Sequence, residues 1–185
     1  MTTWERSSAS SSWVKRASGS GRVGYNGMAV NRLQDSGKTP AGKFGLIRVL
    51  TPYQRSGVTL PQKVYDSGVW WPLDPRDPKS YNTVQRRDSD DDWRTSEAER
   101  LMDYRSQYNP AVVINYNLPW TDSSGVRHYA DVTKGGAIFL HNNGSGATAG
   151  CVSIPADRMS KMARWLQPSK YPVIIIGEDD WLRTS

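Results

Sequence analysis

The apolar positions of the chain follow two spacings. AVVINYNL, over 111–118, is β-branched and partly alternating, which predicts a strand. AIFLH, over 137–141, predicts another, and CVSI, over 151–154, a short third or the approach to a helix. PVIIIG, over 172–177, is an unbroken apolar run and reads as a buried closing strand. The second spacing is helical. Met159, Met162, Ala163 and Leu166 recur at i, i+3, i+4 and i+7, on a helix that opens at Pro155 and stops before Pro168. Its methionines read as core filler. A further helix is expected over 97–107, where Ala98, Leu101 and Met102 share a face and Ser96 with Glu99 forms an S-x-x-E capping box. The pattern is mainly β (α+β), with two modest helices.

Polar stretches punctuate these elements. In DSGKTPAGKFGLIRVL, 35–50, Gly37 and Gly42 supply positive φ and Pro40 fixes a bend before a strand that begins with Phe44, Leu46 and Ile47. Residues 61–92 are dense in Pro, Asp, Trp and Tyr. VWWPLDPRDPKSYN excludes a regular helix, because its prolines remove donors and clash, and it reads as an ordered surface loop built on aromatic side chains. The acidic run Asp88–Asp92 reads as a solvated face near a helix start, since the spaced ligands and glycine turn of a calcium loop are missing. Residues 5–22 are rich in Ser and Gly, with Trp13 and Val14 expected to pin the segment down. The organisation expected is a flexible or partly extended N-terminal segment, 1–20, followed by a single domain over 21–185.

A length of 185 residues suits one domain with a core that needs no metal or disulfide staple. Eight Trp and nine Tyr against two Phe favour half-wet sites such as clefts. The net charge of +6 favours anionic partners, but the basic residues are scattered. There is no basic run, no helix-turn-helix or zinc-finger spacing and no aromatic RNP strand, so no nucleic-acid partner is expected. No apolar stretch approaches the roughly 18 residues of a transmembrane helix. MTTWERSSASSSWVKR lacks an apolar centre and does not read as a signal peptide.

HNNGSGATAGCVSIP, 141–155, holds the only cysteine and one of two histidines. His141 ends one strand and Cys151 begins the next element. A hairpin-like return would bring them within ~5 Å, close enough for thiol and imidazole to share a proton. Gly150 leaves room for a substrate carbonyl and frees backbone N–H groups for a developing oxyanion. The same spacing fits an inert buried cysteine beside a histidine satisfied by a carbonyl. It also fits a zinc held by His141, Cys151 and His128, although His128 lies in TDSSGVRHYADV, which reads as an ordinary hairpin.

IFLHNNGSGATAGCVSIP resembles the active-site segment of the YkuD-type L,D-transpeptidases, in which a histidine ends a strand and a Ser/Thr-x-Gly-Cys element follows. Here those residues are His141 and Thr148, Ala149, Gly150, Cys151. GKTPAGKF, 37–44, resembles the family's TP-x-G-x-F turn, and DSGVWWPLDPRDPKSYN with AVVINYN resembles a branch with an aromatic, aspartate-rich loop. The likeness runs from about residue 20 to 178. Ala149 stands where the usual family form has a second histidine, and Ser153 and Ile154 stand where Arg or Asn follows the cysteine. A side branch without that histidine is similar and is associated with crosslinks from position 1 of one stem peptide to position 3 of another.

The resemblance implies an L,D-transpeptidase-like β-sandwich with one or two packed helices and a single catalytic domain over 21–185. It implies a peptidoglycan L,D-transpeptidase with Cys151 as nucleophile, His141 as base and N–H groups around Gly150 and Cys151 for the oxyanion. A backbone carbonyl would orient His141, with Asn142 and Asn143 as local candidates. Asn142, Asn143, Thr148, Ser153, Tyr116, Trp71 and Tyr81, with Trp70, are expected to contact substrate. No cofactor and no metal are implied. The partners would be peptidoglycan stem peptides, whose carboxylates suit a basic protein, and the location extracytoplasmic, in the cell wall or periplasm. Two other functions fit the same residues: a cysteine L,D-peptidase that hydrolyses stem peptides, and a non-catalytic cell-wall-binding module.

Overall fold

The strand Gly42–Thr51 is ten residues long and forms the spine of the molecule. In the computed structural model, which describes residues 1–6 and 13–178, its first half pairs antiparallel with Val173–Ile176 and its second half antiparallel with Ala111–Ile114. Val49–Thr51 also pair in parallel with Gln62–Val64. One strand therefore joins both halves of an eight-stranded curled sheet. Beyond Ala111–Ile114 lie Phe139–Asn142 and then Val152–Ile154; beyond Val173–Ile176 lie Thr2–Arg6 and Trp13–Ser18. Those last two strands fall within the segment expected to be flexible or partly extended. The contacts expected of Trp13 and Val14 concern side chains outside the described residues. A three-stranded sheet places Val69–Pro72 between Gln85–Arg86 and Ala98–Arg100. The fold is mainly β, with one α-helix, Ala156–Trp165, among the described residues.

The central strands are buried on both faces, which is why they read as continuous apolar runs rather than clean alternations. Successive side chains still alternate between two cores. Val112, Ile114, Ile138, Leu140, Val152 and Ile154 pack under the helix with Met159, Met162 and Leu166. Ala111, Val113, Ala137, Phe139 and Cys151 face the other way, against Trp71, Leu101 and Tyr108. The period of two thus puts Cys151 on the aromatic face before any chemistry is considered.

Three expectations change. The helix over 97–107 is absent: a 3-10 turn at Thr95–Glu97 leads into strand Ala98–Arg100 and a second 3-10 turn at Leu101–Tyr104. Pairing of Trp70 with Arg100 and Trp71 with Glu99 satisfies backbone groups that a helix would otherwise use. The S-x-x-E motif makes no cap there, because no side chain caps the turn. The strand expected over 111–118 ends at Ile114, where Asn115 turns its Oδ1 to accept from Gly45 N at 2.6 Å. Segment 61–92 is more than a surface loop, since it supplies three strands and buries Tyr65, Trp71 and Tyr81.

Candidate active site

Phe139–Asn142 and Val152–Ile154 are parallel neighbours, with Leu140 opposite Val152 and His141 opposite Ser153. The return expected to be hairpin-like is a crossover, so both strands run the same way. Cys151 sits at the level of Phe139, not of His141. Sulfur and imidazole share one face as diagonal neighbours, roughly 8 Å apart at the backbone by strand spacing. Both line one cleft of about 410 Å³.

The crossover is fixed from outside. Arg22 exchanges backbone hydrogen bonds with Ser153, both at 2.9 Å. Tyr25 N donates to Thr148 O at 2.9 Å, and Thr148 N donates to Val23 O at 3.0 Å. Arg22 Nη1 reaches the Gly144 carbonyl at 2.5 Å and the Gly146 carbonyl at 3.3 Å. Gly150 has φ 150°, which favours glycine, and a Cβ there would press on Lys38 O at 3.2 Å.

Two hydroxyls hold the cysteine's carbonyl. Thr148 Oγ1 donates to Cys151 O at 2.6 Å, and Thr39 Oγ1, from the Thr-Pro turn, donates to the same oxygen at 3.2 Å. Thr39 Oγ1 in turn accepts from Gly24 N at 2.8 Å. The Gly150 N–H donates to Thr148 Oγ1 at 3.2 Å, so in this state it is engaged locally rather than open to an oxyanion.

The sulfur is a thiol. Cys151 Sγ donates to Ala137 O at 3.1 Å and accepts from Phe139 N at 3.3 Å, and the residue is 8% exposed. Burial pushes its pKa up to about 12, the Glu99 carboxylate adds to that, and the Phe139 N–H, the Arg32 charge and the Tyr108 hydroxyl oppose it. His141 is buried and its Nδ1 lies 2.8 Å from Asn142 O. A carbonyl only accepts, so Nδ1 carries the proton and Nε2 is left as the acceptor. Burial lowers the imidazole pKa, partly offset by that hydrogen bond, which favours the neutral ring. No hydrogen bond links Sγ to the ring among the described residues; the partners of each are those just named.

Three side chains in the cleft had no functional role in the sequence reading. Tyr108 packs edge-on to His141, with ring centroids 5.4 Å apart, and its hydroxyl donates to Glu99 Oε2 at 2.8 Å. Burial raises the Glu99 pKa to about 7. Arg32 lines the same cleft, close to Gly150, and its charge acts on Cys151. Glu99 is masked in the sequence by its resemblance to a capping residue, and Arg32 by its polar turn; Thr39 carried a signal, its place in GKTPAGKF.

Most of the residues expected to contact substrate lie elsewhere. Trp71 is 3% exposed and donates from Nε1 to Asn82 Oδ1 at 2.9 Å. Tyr81 is fully buried, with its hydroxyl on Gln34 Oε1 and on Val132 O. Both are core residues, because the aromatic loop folds inward. Asn142 donates to Ser106 O and Asn109 O, and its carbonyl is the His141 partner. Ser153 is fully buried beneath Arg22, and Asn143 N bonds to Ile154 O. Tyr116 is half-buried against Phe44, with its hydroxyl on Lys134 O at 3.2 Å. Trp70 packs on Trp93. Of the set, Thr148 lines the cleft. His128 stacks on Trp120 in the expected hairpin and bonds to Asp122 at 2.9 Å, and no cluster of three metal-ligating side chains occurs among the described residues.

The family model for the L,D-transpeptidase catalytic domain (YkuD) matches residues 15–175. The chain belongs to the YkuD family. The matched span contains the Thr-Pro turn and the Thr-x-Gly-Cys element, which in this chain meet: Thr39 and Thr148 hydrogen-bond one carbonyl, that of Cys151. YkuD domains are generally L,D-transpeptidases, acting on peptidoglycan. No curated protein and no solved structure matches the chain. No helix of the described residues is long and apolar enough to cross a membrane.

Proposed function

We propose that this YkuD domain is a peptidoglycan L,D-transpeptidase working by ping-pong acyl transfer, with Cys151 as nucleophile and His141 as base. The observation that carries the reading is one cleft shared by the thiol and a neutral imidazole whose Nδ1 is committed to the Asn142 carbonyl. The proton of Cys151 passes to His141 Nε2 as the thiol leaves Ala137 O. The sulfur bonds to the carbonyl carbon of an L-residue in a stem peptide. The C–N bond to the following D-residue breaks, and the amine leaves with the proton from His141. A side-chain amine of a second stem then opens the thioester, gives up its proton and restores the thiol. The lost second histidine of the motif favours the 1→3 crosslink. The site of action is extracytoplasmic, and the whole acts as one catalytic domain over 21–185.

Exposure to a carbapenem followed by intact-protein mass is expected to give one covalent adduct, lost in Cys151→Ala. Purified stem peptides are expected to give dimers; shortened monomers alone would make the protein a cysteine L,D-peptidase. The buried, protonated sulfur favours a second reading, a wall-binding module with an inert thiol. Absence of both adduct and product, with retained peptidoglycan binding, would select it.

A further inference from the structure

Arg32 is 5% exposed, yet among the described residues its Nε and Nη1 have no hydrogen-bond partner. Its guanidinium sits over the Tyr116 ring at 5.7 Å, and it lines the same cleft as Cys151 and His141. Gly135 makes room for it, since a Cβ there would come within 2.9 Å of Nη1. A Cβ on Gly150, the residue before the sulfur, would lie 3.6 Å from Nη2. Burying a guanidinium without an anion is costly, and a structural arginine at this depth is normally paired. The five N–H donors of arginine match a carboxylate in a two-pronged fashion.

We propose that Arg32 is the receiving group for the substrate's α-carboxylate, the one borne by the D-residue whose amine leaves. This rests on the transpeptidase reading above and names the substrate feature it selects. Whichever L-centre is attacked, the next residue's α-carbon is bonded to the leaving nitrogen. Its carboxylate therefore lies within about one residue length, ~3.5 Å, of the reacting carbonyl. Arg32 reaches the neighbourhood of that carbonyl, since its Nη2 lies beside Gly150, the residue before the sulfur. The pairing orients the scissile bond, and it discriminates against peptides in which the carboxylate is amidated or extended.

The test uses Cys151→Ala protein for binding, by calorimetry, and unaltered protein for acylation, by intact mass. Two pairs of synthetic stem peptides serve as probes. One pair carries a free or an amidated C-terminal D-residue, and the other a free or an amidated α-carboxylate on its second-position D-residue. One free acid is expected to bind about tenfold or more tightly than its amide, the scale of a charge-assisted pair, and the pair that shows the preference identifies the scissile bond. Adding Arg32→Met is expected to abolish the preference. Should that variant not fold, Arg32→Lys, which keeps charge but loses the fork, is expected to reduce it severalfold. Equal binding of acid and amide in both pairs overturns the assignment, as does a preference unchanged in the Arg32 variant. In either case continued acylation of Cys151 leaves the transpeptidase reading intact. Failure of every peptide to bind or acylate removes both.

Discussion

Cys151 is held as a thiol by burial, and the Glu99 carboxylate adds to that. Glu99 opposes the thiolate electrostatically, while Tyr108 links Glu99 to the aromatic wall of the cleft. Glu99→Gln removes the charge and keeps the shape, so the thiolate becomes easier to form. Alkylation of Cys151 by iodoacetamide between about pH 7 and 9 is expected to speed up severalfold; an unchanged or slower rate would detach Glu99 from the sulfur. Stability should respond as well. The Glu99 pKa is raised in the fold to about 7, so its contribution is fully present below the unfolded carboxyl value and is lost as pH rises through about 7. The melting temperature of the unaltered protein is therefore expected to fall more between pH 4.5 and 7 than that of Glu99→Gln. None of this was legible in S-x-x-E, because a glutamate three residues after a serine looks the same whether it caps a helix or, as here, turns from a strand into a cleft.

At the scale of elements, the site is a meeting of two turns on one carbonyl. Thr39 is fully buried, accepts from Gly24 N and donates to Cys151 O. Thr39→Val leaves the Gly24 N–H unsatisfied and frees the Cys151 carbonyl, at a cost of about 1–3 kcal/mol. Thr39→Ser keeps the hydroxyl and is expected to recover most of the loss. Urea unfolding measures the stability, and the rate of carbapenem adduct formation reads the position of the sulfur. Val falling within error of the unaltered protein in both would leave the turn with no supporting role. The two motifs were readable in sequence because both need particular backbone shapes: a Thr-Pro bend, and a glycine at the φ of Gly150. Their contact was not, since residues 39 and 151 are brought together by the sheet.

For the whole molecule, a second polar centre ties the aromatic segment down. Asp74 is fully buried, accepts from Arg94 Nε at 2.9 Å, Nη2 at 3.0 Å and N at 2.9 Å, and also pairs with Arg76 at 3.2 Å. The Arg94 side chain is the main reason its pKa lies far below the ordinary carboxyl value. A depressed carboxyl contributes stability that is complete above the unfolded pKa and is lost as pH falls toward the folded one. Asp74→Asn is therefore expected to cost about 2–3 kcal/mol near pH 7, the lower side of a broken buried pair because Arg94 is half exposed. The difference should shrink between about pH 4 and 2. Urea unfolding at several pH values checks it, and a penalty that does not change with pH would mean that packing, not charge, is responsible.

Local sequence by itself determined which runs become buried strands, where the amphipathic helix Ala156–Trp165 lies, and which glycine and threonine positions frame the cysteine. These follow from burial period and backbone preference, which act over a few residues. Tertiary structure decided the rest. Parallel rather than hairpin pairing sets Cys151 diagonal to His141, because strand direction depends on the path of the crossover and on the 22–25 segment that holds it. The same packing sends Trp71 and Tyr81 into the core and leaves Arg32 and Glu99 at the cleft. An aromatic or charged residue carries no local mark of the wall it will face; only the closing of the sheet assigns one.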